Sequence, residues 1–205
     1  MFYPKELLPT KKERRKTLAL AKDVLLQLIP NKHFRILKGV YLGVSEINPE
    51  DYNSEQTGEL CKKVLKQDSA KKLFKTFLKK DEVPELLTKV KCNVCALGSL
   101  LVANVIKNNK LTISNIQRES NGIDEFRYEL GELNAQLIEH AFEGWKESND
   151  GDSDEMLVYY ASTHFRNFDR TPAKKRLKSI CQNIVRNNGV FVPQGVKLSS
   201  EHKTI

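Results

Sequence analysis

Across residues 11–29 the apolar side chains Leu18, Ala21, Leu25 and Leu28 return at steps of three and four, which places them on one face of a helix that follows Pro9 and Thr10. Pro30 and Asn31 should end it. Residues 34–44 are mostly apolar with Gly39 and Gly43 interposed, so a short strand competes there with a glycine-containing buried helix. Turn formers crowd residues 48–54, and Ser54 is placed to cap a helix through Leu60, Val64 and Leu65. Over 69–80, Leu73, Phe74, Phe77 and Leu78 oppose Lys71, Lys72, Lys75 and Lys79, a helix with one lysine face. Another short helix should start at Val83 and Pro84.

The second half continues in the same helical period. Residues 92–106 are apolar almost all round, which predicts a buried central helix ending near 108–109. From Phe126 to Trp145, Phe126, Leu130, Leu133, Leu137 and Ala141 form a stripe, with Glu125, Glu129, Glu132, Glu139 and Glu143 at other positions of one long acidic helix. The acidic, polar run at 148–154 reads as an exposed loop and could set off a small C-terminal helical unit from about 155. Residues 156–165 read as a helix. Thr171 as cap and Pro172 in the first turn then open another, whose stripe is Leu177, Ile180, Cys181 and Ile184. Asn188 and Gly189 supply its left-handed end, and 190–193 leave extended. The fold class expected is mainly α: a compact helical globular domain over 1–193 with a buried central helix and a short β element, then a flexible tail over 194–205.

Composition narrows the partners. The 205 residues are 40% hydrophobic, enough for one core. Lys and Arg number 34 against 26 Asp and Glu, a formal charge of +8, which favours an anionic ligand: nucleotide, nucleic acid or an acidic protein surface. The opening residues lack the order of a secretory signal, and no apolar run nears the ~18 residues that span a bilayer. A cytoplasmic protein with no membrane partner is expected. Cys61, Cys92, Cys95 and Cys181 are too sparse for a disulfide framework and are read as reduced, buried thiols.

Several constellations bear on chemistry. Cys92 and Cys95 have the spacing of a redox dithiol or half a zinc site, but no second close pair exists, and His33, His140, His164 and His202 lack metal-ligand spacing among themselves. His140 has Leu137, not Glu, three residues before it, so the Glu-x-x-His of di-metal bundles fails. Glu129, Glu132, Glu139 and Glu143 could pair for acid–base work, and a solvated face is the plainer reading. Phosphate-loop, dinucleotide, nucleophile-elbow and zincin motifs are missing, so no cofactor, no metal and no catalytic residue is assigned. Three basic clusters remain: Lys11, Lys12, Arg14, Arg15 and Lys16; the lysines of 71–80; and a third near the last helix. Here His164, Arg166, Arg170, Lys174, Lys175 and Arg176, with Phe165 and Phe168 to stack on a base, are the candidate ligand-binding residues.

Two stretches, Lys91-Cys92-Asn93-Val94-Cys95-Ala96-Leu97-Gly98 and residues 177–193 with Asn183-Ile184-Val185-Arg186-Asn187-Asn188-Gly189-Val190-Phe191-Val192-Pro193, resemble motifs of a bacteriophage and prophage protein family. The resemblance covers a small part of the chain and brings no catalytic role with it. It implies an accessory protein, plausibly for counter-defence, acting in the infected bacterial cytoplasm. The function expected is a non-catalytic binding protein that sequesters an anionic nucleotide signal or blocks an acidic host protein. The alternative is binding of DNA or RNA, and the third reading an enzyme acting on nucleotides or nucleic acid.

Overall fold

The computed structural model describes residues 1–31, 34–41, 43–44, 92–108, 121–144 and 153–200. The helices expected after Ser54, over 69–80 and from Val83, and the loop at 48–54, lie outside these residues. Of the loop expected at 148–154, only Ser153 and Asp154 are described, and they open a helix.

The chain is mainly helical. Helix α1 is Lys11–Asp23, α2 Ala96–Asn108, α3 Asn121–Leu130, α4 Glu132–Glu143, α5 Ser153–Ser162 and α6 Ala173–Arg186. Strands β1 (Phe34–Ile36), β2 (Gly43–Val44) and β3 (Cys92–Val94) form one small sheet in the order β1-β3-β2. Residue contacts divide the chain into two compact units: Met1–Ile29 with Glu125–Ile205, and Pro30–Asp124.

In the second unit β3 pairs parallel with β1, Phe34 facing Cys92 and Ile36 facing Val94, and antiparallel with β2. The strand option for residues 34–44 is therefore the one adopted, in two pieces. Residues 92–94, expected as the start of a helix, are strand instead, and α2 begins only at Ala96. From Ala96 to Asn104, α2 is buried on every side, as its apolar run predicts. Gly98, near its start, lies against the main chain of Tyr41, where any side chain would collide.

The first unit is built from α1, α3, α4, α5 and α6. Thr10 and Glu13 start α1 with a capping box: Thr10 N–H donates to Glu13 Oε2 at 2.7 Å, and Glu13 N–H donates to Thr10 Oγ1 at 3.4 Å. The buried face of α1 is Thr17, Leu20 and Ala21, and Val24 and Leu28 prolong it through a final π turn (Val24–Leu28). That face packs on α6.

The long acidic helix expected from Phe126 is two helices. Gly131 breaks it with φ +80, a backbone conformation costly for other residues, and a Cβ there would stand 2.9 Å from Pro9 Cβ. Beyond the break α4 is buried all round from Leu137 to Glu143, and α5 and α6 both pack on it.

Helix α6 ends as its sequence predicts: Asn188 has φ 52 and Gly189 φ 93, and Gly189 N–H donates to the Ile184 carbonyl at 2.8 Å. Gly189 also abuts the main chain of Arg14 on α1, leaving no room for a side chain. The extended segment that follows runs buried through Val190, Phe191 and Val192, with no neighbouring strand among the described residues. Two asparagines bond its main chain. Asn134 Oδ1 accepts from Phe191 N–H at 2.8 Å, and its Nδ2 donates to the Leu130 and Gly189 carbonyls at 3.2 and 3.4 Å. Asn183 Oδ1 accepts from Val192 N–H at 2.9 Å, while its Nδ2 donates to the Val192 carbonyl at 2.8 Å. Residues 194–200, the described part of the segment read as a tail, meet the chain start: Tyr3 N–H donates to the Lys197 carbonyl at 2.9 Å and Lys197 N–H to that of Met1 at 3.0 Å. Val196 and Leu198 are buried there.

Replacing Asn134 by Ala strands the buried Phe191 N–H, a loss of about 2 kcal/mol. Asn134→Ala is expected to lower the thermal midpoint by several degrees, measured by circular dichroism, and Asn183→Ala to do the same.

Candidate functional site

The third basic cluster occupies the connection from α5 to α6 and the first turns of α6. A 3-10 turn, Phe168–Arg170, precedes the helix. Thr171 is not the cap expected: its hydroxyl donates to the Asn167 carbonyl at 2.7 Å, and Pro172 takes the cap position with no side-chain hydrogen bond. The reason is local, since the turn before α6 already uses the threonine hydroxyl to close on itself.

The eight candidates do not converge on one surface; they separate into an interior and an exterior set. Arg176 is inside, 6% exposed. Its guanidinium carbon stands 4.0 Å from the Phe168 ring centroid and 5.2 Å from that of Phe142, and Nη1 reaches the Phe168 carbonyl at 3.4 Å. Burial lowers its pKa, and the charges of Glu143 and Asp169 oppose that shift. Its Nε is buried without a hydrogen-bond acceptor among the described residues. The tip of the Phe168 ring, Cζ with Cε1 and Cε2, lies against Gly144 at the end of α4. Arg176 and Phe168 are thus taken up by one another.

His164 is tied in a similar way. Its Nδ1 accepts from Gln194 N–H at 3.0 Å, and its ring meets those of Phe165 and Phe191 edge-on at 4.7 and 5.0 Å. Burial among these rings pulls its pKa down to about 4, so the ring is a neutral acceptor. Arg166, Arg170, Lys174 and Lys175 are exposed. No acidic residue stands in the first turn of α6. The helix start, where backbone N–H groups and the dipole present positive charge, is therefore flanked mainly by cations, with the exposed Asp169 in the turn before it. Lys178 is exposed too, and so is Arg186, which lies beyond the cluster read from the sequence. The steps of four from Lys174 to Lys178 and on through Gln182 to Arg186 are the signal that finds it.

The remaining constellations are placed as follows. In the first cluster Lys11, Lys12 and Arg15 are exposed, while Lys16 forms a salt bridge with Glu129 of α3 and stands 5.7 Å from the Phe126 centroid. The lysines of 71–80 lie outside the described residues. Glu129 and Glu132 face solvent, but Glu139 and Glu143 are 4% and 2% exposed, so the solvated-face reading fails for these two. Arg127 Nη2 meets Glu139 Oε2 at 2.7 Å, and His140 is buried between the two glutamates in sequence. Cys92 lies in β3, and Cys95, just before α2, is buried, its sulfur accepting from Gly98 N–H at 3.4 Å. Cys181 is fully enclosed, and burial pushes its thiol up to about 12, which makes it unreactive. Among the described residues no three His, Cys, Asp or Glu side chains are grouped to hold a metal ion, and no helix is long and apolar enough to cross a membrane.

Set against protein-family models, curated proteins and solved structures, the chain matches none.

The two sets separate by mutation. Arg176→Ala leaves the Glu143 charge buried and is expected to cost about 3 kcal/mol in chemical denaturation, whereas Arg170→Ala, at an exposed site, should stay within about 0.5 kcal/mol. His164 predicts an acid limb. Its folded pKa, about 4, lies below its ordinary 6.5, so its contribution is complete above 6.5 and is lost as pH falls toward 4. Urea midpoints should fall across that window in the wild type and less steeply in His164→Gln.

Proposed function

We propose that this chain is a non-catalytic binding protein that holds an anionic partner through the exposed cations Arg166, Arg170, Lys174 and Lys175 at the start of α6. The observation that carries the reading is that four exposed basic side chains border a helix start with no acidic residue in its first turn. The positive helix end and these four cations outweigh the carboxylate of Asp169 beside them, so an arriving anion meets a net positive site. Arg176, Phe168 and His164 leave the candidate contact set, because their charge and rings are engaged within the protein. Contact by charge is favoured over a cage of convergent rings. The resemblance of residues 91–98 and 177–193 to phage proteins supports a setting in the infected bacterial cytoplasm, where sequestering a nucleotide signal or covering an acidic host protein would serve counter-defence.

The test is native mass spectrometry of the protein taken from infected, defence-competent cells, beside the triple variant Arg170→Ala, Lys174→Ala, Lys175→Ala. The wild type is expected to carry an anionic partner that is released chemically unchanged, and the variant to lose about tenfold or more of it with its melting temperature preserved. Equal retention by the variant would sink the reading. Conversion of the bound species to a product would sink its non-catalytic part.

A further inference from the structure

Helix α6 carries no aspartate or glutamate anywhere along its 14 residues. Its outer face holds Lys174, Lys175, Lys178, Gln182 and Arg186, all exposed. At 1.5 Å per residue the steps of four set these positions about 6 Å apart over roughly 18 Å of helix, a row and not a point. Helix α1 packs beside α6. Gly189, three residues beyond Arg186, lies against the main chain of Arg14, and the neighbouring Lys11, Lys12 and Arg15 of α1 are exposed in turn. Two acids near α1 are already engaged, Glu13 in the cap of α1 and Glu129 with Lys16, while Asp169 stands exposed before the start of α6, at the far end from Lys178 and Arg186.

From this arrangement we infer that the outer face of α6, extended by the first turns of α1, is a docking surface for double-stranded nucleic acid, gripped by its phosphates without regard to base sequence. The inference rests on the reading that exposed cations of this chain hold an anion, and it names the partner. Charge complementarity to a duplex carries it: a duplex presents phosphates in a continuous row, and a row of cations engages many at once. The aromatic side chains argue against a single strand. Base stacking needs free ring faces, while Arg176 stands over Phe168 and the tip of that ring meets Gly144, and His164 and Phe165 pack edge-on upon each other.

The experiment is fluorescence anisotropy of the full chain with a labelled 20-base-pair DNA duplex, the matching RNA duplex, a DNA single strand, labelled ATP and labelled polyglutamate, from 50 to 200 mM NaCl. Duplex binding is expected to weaken with salt at a log–log slope of about −4 to −5, the value for roughly five neutralised phosphates. Lys178→Gln with Arg186→Gln should reduce the slope by about two and the affinity by tenfold or more at 100 mM salt, with unchanged circular dichroism. The two duplexes separate DNA from RNA as the source of the same backbone chemistry. Binding of the single strand equal to or tighter than the duplex overturns the inference, as does a double variant with wild-type affinity. Binding of ATP or polyglutamate without the duplex overturns it and leaves the anion-holding reading standing. If none of the five probes binds, both fall.

Discussion

Residues 189–193 run through the interior of the first unit with no strand beside them among the described residues, and two asparagine side chains supply hydrogen bonds of the kind a strand would have given. A buried main chain that cannot reach water must be paired, since each stranded polar group costs more than a typical hydrogen bond contributes. Asn134 on α4 serves Phe191 and Gly189, and Asn183 on α6 serves both the N–H and the carbonyl of Val192. The segment is thereby bonded to α4 and α6 at once. With it held, Gly189 takes its place against α1, and the Gln194 N–H that follows finds His164.

A second constraint sorts the charges. Acids inside α4 have arginines near them: Glu139 bonds Arg127, and the charge of Glu143 acts on Arg176, whose guanidinium stands over the Phe168 ring. Lysines stay outside, where the ammonium keeps its water. The interior therefore contains both signs, while the outer face of α6 is left with one.

Much of the helical pattern was legible in the sequence, and the exceptions have physical causes. The stripe Leu177, Ile180, Cys181 and Ile184 and the Asn188-Gly189 terminus describe α6 as it stands, because a long amphipathic helix leaves both a period and a stop. The strand of residues 92–94 was hidden, being too short to show a period of two before the apolar run of α2 takes over. Gly131 was read through because one glycine lowers helix stability by only about 1 kcal/mol, a cost that sequence alone cannot distinguish from tolerance. What decides the break is the approach of Pro9, a contact of long range. At the candidate site the exposed lysines were found by type, whereas Arg176 needed position as well as type. It stands four residues before Ile180 and eight before Ile184, on the stripe that goes inside. Glu139 and Glu143 sit among Ile138, Ala141 and Phe142 in a helix enclosed on all sides, so their chemistry concealed their place.

The division of the chain also bears on how it comes off the ribosome. The first unit joins Met1–Ile29 to Glu125–Ile205, with the whole of the second unit between them in sequence. Helix α1 is complete at Asp23, but its packing partner α6 ends at Arg186. At about 5–20 residues per second, α1 waits on the order of ten to thirty seconds with Leu20, Val24 and Leu28 uncovered. During that interval the capping box of Thr10 and Glu13, which needs nothing outside its own turn, can hold the helix start in shape. Helix α1 is thus prepared locally for a partner made later, and a chaperone that shelters apolar helices would meet this protein at residues 11–28.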